Sequence, residues 1–134
     1  MATYTKFQCF VEDLAHGVHD LETDAITVAL SNTAPSASAD AVLGDITTVS
    51  TANLDDVTPT VSSSSQTSGT YKLVVADLTM TASGAVGPFR YVIIYNDTAA
   101  NDPLICFFDY GSEVTLAKDD TFKLDFGTEL FSLA

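Results

Sequence analysis

The sequence predicts an all-β protein, an antiparallel β-sandwich of jelly-roll-like form with about eight to ten short strands and one short N-terminal helix. Three observations predict it. From Ala25 onward apolar residues recur mainly at every second position, the period of a strand. Clusters of Gly, Pro, Asn, Asp and Ser separate these runs and supply turn chemistry. Residues 88–111, "PFRYVIIYNDTAANDPLICFFDYG", hold two apolar runs around a polar connector, and each run is apolar on both alternating faces. Strands of that kind are buried on both sides. No repeat of solenoid length interrupts the pattern.

The helix comes first. In "KFQCFVEDLAHGVHDL", Phe7, Phe10, Val11 and Leu14 fall at helical spacing, predicting a helix from about residue 5 to 16 that Gly17 ends. Residues 1–24 therefore read as a helical segment or arm packed on the domain or on a neighbour, and 25–134 as the sandwich. "AITVALS" reads as a half-buried strand with Ile26, Val28 and Leu30 inward and small residues outward. "SNTAPSASADAVLGD" is a loop by its composition. Weak strand candidates lie near 45–50 and 57–62, followed by "SSSSQTSG", a low-complexity stretch read as a mobile turn. In "TYKLVVADLTMTASG", Tyr71, Leu73 and Val75 share one phase and Leu78, Met80 and Ala82 the other. That slip at Ala76-Asp77 marks a bulge, a corner between sheets or a tight turn.

Next come the two runs of 88–111, joined by a hairpin-like connection. Alternation groups Phe89, Tyr91, Ile93 and Tyr95 on one face and Arg90, Val92 and Ile94 on the other. In the second run it groups Leu104, Cys106, Phe108 and Tyr110 against Ile105 and Phe107. "SEVTLAK", "TFKLDF" and "ELFSLA" supply the last strands. A sandwich this small leaves one face of the central pair to be covered by something else. The N-terminal helix is one candidate, and another molecule is the second.

A length of 134 residues suits one domain. Eighteen acidic residues against five basic ones give a net charge of -13. Lys6, Lys72, Arg90, Lys118 and Lys123 are scattered, which disfavours phosphate backbones and anionic membranes. The acidity suits either solubility or docking onto a basic surface. "MATYTKFQCF" has neither the basic start nor the apolar core of a signal peptide, so synthesis and residence in a cytoplasm are expected. Cys9 and Cys106 sit among aromatics and are expected to be reduced and buried.

Chemistry is thinly represented. His16 and His19, with Glu12, Asp13, Asp20, Glu22 and Asp24 nearby, form the best metal-ligand constellation. Gly17 interrupts their helix and no further His completes a shell, so no metal is expected. Asp55-Asp56, Asp97-Asn101-Asp102 and Asp119-Asp120 lack calcium-loop spacing, and turns favour Asp and Asn for local reasons. There is no nucleophile elbow and no phosphate-cradling glycine loop. No enzyme, cofactor or catalytic residue is expected. Arg90, the one arginine, suits either a carboxylate pair at a strand edge or a contact across an interface.

The assembled string resembles a known group. "KFQCFVEDLAHGVHDLETDAITVALSNTAPSA" is similar to the opening of small virion proteins of tailed bacteriophages. "SSSSQTSGTYKLVVADLTMTASGAVGPFRYVIIYNDTAANDPLICFFDYGSEVTLAKDDTF" resembles their middle and end, and "GPFRYVIIYNDTAANDPLI...DYGS" is its most specific part. Those relatives often carry Trp where Phe107 and Phe108 stand, and a small residue at Cys106. The resemblance implies a head decoration, or cement, protein: made in the bacterial cytoplasm, located on the capsid surface and partnered by the major capsid protein. The doubly apolar runs around 89–95 and 104–110 lead to an expectation of self-association, and the resemblance favours a trimer over a dimer. Phe7, Phe10, Arg90, Tyr95, Phe107 and Tyr110 are the candidate interface residues. A tail- or fibre-associated β-domain is the alternative, and a carbohydrate-binding module lies further off, needing exposed aromatics.

Overall fold

Period-two apolar runs become strands in this chain because each finds another run to bury against. The computed structural model describes residues 2–134. Its elements are β1 (Thr3–Lys6), α1 (Gln8–Ala15), β2 (Ile26–Ser31), β3 (Val61–Thr67), β4 (Thr70–Val75), β5 (Leu78–Thr81), β6 (Val86–Asn96), β7 (Leu104–Leu116), β8 (Thr121–Leu124) and β9 (Phe131–Leu133). Strands take 47% of the residues and helix 8%, so the class is all-β. One four-stranded antiparallel sheet has the order β1-β7-β6-β2. Facing it is a second layer in two pieces, β3-β4-β9 and β5-β8. Val28, Leu30, Val92, Ile94, Cys106 and Phe108 of the first layer share one core with Leu73, Val75, Met80 and Leu124 of the second.

The corner expected at Ala76-Asp77 is where the chain passes from β4 in one piece to β5 in the other. Asp77 fastens it, accepting a hydrogen bond from Phe126 N at 3.0 Å. The β6–β7 hairpin is central, as the two apolar runs predicted. Gly17, at φ +74, stops α1: Val18 N donates to Asp13 O at 2.9 Å and Gly17 N to Leu14 O at 3.3 Å, satisfying the last carbonyls.

Five readings change. The helix begins at Gln8, because Thr3–Lys6 pairs with Asp109, Phe108, Phe107 and Cys106 as an edge strand. The N-terminal segment is thus woven into the main sheet. Of the two weak strand candidates, 45–50 supplies a short 3-10 turn at Leu43–Asp45 and a single bridge, Leu30 to Val49. The other begins only at Val61 and runs through the serines. "SSSSQTSG" is a strand and its turn: β3 pairs with β4 across Ser68 and Gly69, whose φ values of 52° and 83° suit a two-residue hairpin. "SEVTLAK" is the far half of β7, set off by a bulge opposite Arg90.

Alternation in β6 and β7 also slips. Phe89 lies in the main core with Val92 and Ile94, whereas Tyr91 and Ile93 point the other way. Leu104 joins Phe107 on that second face, and Ile105 turns to the main core. Register shifts at Phe89/Tyr91 and Ile94/Tyr95 are the cause, each inserting residues that invert the phase.

The second face is covered by the chain itself. Residues 32–46 form a strap over Ala29, Tyr91, Ile93, Leu104 and Phe107, contributing Ala37, Leu43 and Ile46, with Phe7 beside them. This is why every residue of β2 is buried, including Thr27, Ala29 and Ser31. The strap is tied down along its length: Gln8 N donates to Ala37 O at 2.9 Å, Leu104 N to Ala41 O at 3.0 Å, and Ser31 Oγ to Thr47 O at 2.6 Å. Helix α1 covers a different surface. Phe10, 1% exposed, belongs to the main core, against Phe131 of β9 at 5.1 Å between ring centroids.

Candidate functional site

The six candidate interface residues do not form one surface. Phe7 and Phe10 are fully buried and Phe107 nearly so, each within the chain's own cores, so none is available to a partner. Tyr95 is half-buried at the edge of the strapped face, and burial pushes its phenol up. Tyr110 lies half-buried against Phe122 at 5.1 Å, its phenol pushed up to about 12 by burial and then by Asp125. Arg90 makes a two-pronged pair with Asp109, Nε to Oδ1 at 2.8 Å and Nη2 to Oδ2 at 3.2 Å. Asp109 Oδ1 also accepts from Gly111 N at 2.8 Å, so the pair clamps the β7 bulge. Hydrogen bonding to Arg90 holds the Asp109 carboxyl below its ordinary value. Arg90 thus has the carboxylate partner that one of its two readings expected, but on the inner strand β6 and not at a sheet edge.

The carboxylates of the turns bind backbone and side-chain donors of the chain itself, Asp56 and Asp120 within their own turns and Asp55 across to β5. Asp55 accepts from Thr81 N, Asp56 from Thr58 N and Oγ1, and Asp120 from Ala117 N. Asp45 Oδ2 takes Ala41 N at 2.9 Å and Val42 N at 3.2 Å, which lowers its pKa and shapes the strap. Among the described residues no group of three His, Cys, Asp or Glu side chains is placed to hold a metal ion. His16 is exposed beside Glu12 at 3.9 Å, whereas His19 turns inward. Cys9 and Cys106 are free thiols. Cys9 donates to Ala41 O at 3.6 Å, and Cys106 is wholly buried beneath Tyr4, with its pKa raised by burial.

His19 is the centre of a buried polar network that the sequence did not reveal. Asn96, at the end of β6 and 0% exposed, accepts at Oδ1 from Thr98 N (2.9 Å) and Ala99 N (3.1 Å). Its amide nitrogen must therefore face the other way, where it donates to Asp24 Oδ2 at 2.7 Å and lies 3.0 Å from His19 Nδ1. A ring nitrogen facing an amide NH2 has to accept, so His19 is neutral with its proton on Nε2. Nε2 itself is buried without a partner. Phe10 stacks on the ring at 5.1 Å, linking the network to α1. No local pattern in the sequence points to it, because Asn96 meets His19 and Asp24 from more than seventy positions away.

Burial lowers the His19 pKa below its ordinary 6.5, opposed in part by Asp13 of α1 and Asp24. The unfolded chain therefore takes up this proton first as pH falls. The stability due to neutral His19 is complete above about pH 6.5 and is lost as pH falls through its lower folded value. Asp45, Asp56 and Asp109, held below 3.8, weaken the fold only at more acidic pH. His19→Gln is expected to flatten the first part of the acid limb in urea-unfolding midpoints. Equal slopes in variant and parent would contradict the assignment.

Beside His19 runs an open groove of about 760 Å³, lined by Leu14, Leu21, Tyr71 and Leu133, by Asp20 and Glu22, and by Ser64, Ser65 and Gln66 of β3. No helix among the described residues is long and apolar enough to cross a membrane. No family model, curated protein or solved structure matches the chain.

Proposed function

We propose that this chain is a structural protein of a tailed-bacteriophage virion, a capsid decoration or cement protein that binds the outer surface of the head and stabilises the shell. The resemblance centred on "GPFRYVIIYNDTAANDPLI...DYGS" supplies the family, and one structural observation carries the functional class. The side chains best suited to chemistry are used to hold the fold: Cys106 under Tyr4, Cys9 on the strap, His19 against Asn96, Arg90 across the bulge. What such a domain offers other molecules is its outside, with a net charge of -13.

Cementing follows from mass action. A domain that touches two or more capsid subunits binds only the assembled lattice, so its binding free energy favours the intact shell over loosened states. Repetition over many sites adds further stabilisation. The strap removes the motive for self-association through the second apolar face, so a homo-oligomer, and the trimer in particular, rests on the resemblance. Recognition by charge fits a basic shell surface.

The test is co-sedimentation with expanded shells that lack the protein. Binding is expected, weakening as salt is raised. Binding that ignores salt would place the contact in apolar side chains. Labelling confined to tails would favour the tail- or fibre-associated reading.

A further inference from the structure

We infer that the groove beside β3 is a docking site for an extended polypeptide segment carrying basic residues, which adds to the β3-β4-β9 sheet as a new edge strand. The inference does not depend on the shell reading.

Backbone chemistry comes first. Thr67 and Thr70 flank the two-residue turn, so they form a hydrogen-bonded pair. Alternation along the ladder then makes Ser65–Lys72 hydrogen-bonded and Ser64–Leu73 and Gln66–Tyr71 not. The N–H and C=O groups of Ser64 and Gln66 consequently point away from β4. Among the described residues, none of the backbone hydrogen bonds made outside the strands engages them.

Exposed edges are normally blunted by charge, proline or a covering segment. The edge of β2 is covered: Val49 pairs with Leu30, and Val28 N donates to Val57 O. Along β3 no such device appears beyond the bulge at Val61/Ser63, and residues 57–71 carry no charged side chain.

The groove gives that edge something to recognise besides main chain. An added strand would direct alternate side chains into the β3 side of the groove, which Ser64, Ser65 and Gln66 share with Asp20, Leu21 and Glu22. His19 lines the same groove, 7% exposed, with its Nε2 unpartnered. Main-chain pairing with pockets for alternate side chains is the usual mode of strand addition. Exposed Asp20 and Glu22 at the groove select a Lys or Arg in the incoming segment. They also select against a second copy of this chain, since two molecules of net charge -13 would bring these carboxylates together.

The test uses the full chain and an array of short peptides in which Val, Leu or Tyr alternates with Lys or Thr. Controls replace the apolar positions by Ser or the Lys by Glu. Binding of the Lys-bearing apolar peptides is expected, with slowed amide exchange at Ser64 and Gln66. Ser64→Pro removes the outward N–H (Ser64→Ala controls for the Ser64 Oγ–Tyr71 OH contact at 2.7 Å that is lost with it), and Glu22→Lys sets a like charge against the Lys of the peptide. Each is expected to weaken binding about tenfold or more, with the thermal transition retained. Failure of every array peptide to bind would overturn the proposal. So would affinities that ignore both substitutions, equal binding of the Glu controls, or protection of the edge by self-association alone.

Discussion

Replacing residues 34–45 by a short Gly-Ser linker is expected to give a chain that aggregates or associates through its newly opened face. The strap covers Ile93 and Leu104, both 0% exposed, and Tyr91 and Phe107, both 8% exposed. Burying one large apolar side chain contributes about 1.5–3 kcal/mol. Uncovering several at once approaches the whole stability of a domain, about 5–15 kcal/mol. The ends of the strap are close in space, because Val49 bridges to Leu30, so a short linker can span them. Larger species in sedimentation velocity and strong binding of an apolar dye are the expected readouts. A linker variant with the parent's size, melting temperature and dye response would show that the strap is not what shields this face.

Phe10→Ala is expected to cost about 3–5 kcal/mol, the usual range for emptying a buried aromatic site. For a domain of this size that lowers the melting temperature by about 10–20 °C. Phe10 is 1% exposed and contacts Phe131 of β9 and the His19 ring, so its loss opens the core where three segments meet. Val11, its neighbour on α1, is 53% exposed, and Val11→Ala is expected to leave stability nearly unchanged. A small effect for Phe10→Ala would contradict the placement of α1 as part of the sandwich.

Much of the fold was legible where local chemistry decides it. Gly17 ended the helix because a left-handed residue is needed there, and the phase change at Ala76-Asp77 marked the passage between sheets. The doubly apolar runs announced the central hairpin. Its face assignments were not legible, because bulges near Arg90 and Ile105 invert an alternation that sequence alone takes as unbroken. Small side chains misled in β2. Thr27, Ala29 and Ser31 look solvent-facing, yet their small size is what lets the strap lie close. Serine misled in β3, where an exposed edge strand has little apolar pattern to offer. Phe7, Phe10 and Phe107 were read as interface residues because aromatics are enriched both in cores and at interfaces, and only the paired partner distinguishes the two. The His19–Asn96–Asp24 network joins residues more than seventy positions apart and had no local signature.

Heat-induced DNA release from phage heads tests the cement proposal most directly. Heads assembled without this protein are heated alone and after incubation with the purified chain, and DNA release is followed with an intercalating dye. The added protein is expected to bind the heads and raise the release temperature, with an effect that saturates as lattice sites fill and fades at high salt. An unchanged release temperature with heads fully occupied, or no binding to heads at any salt concentration, would contradict it.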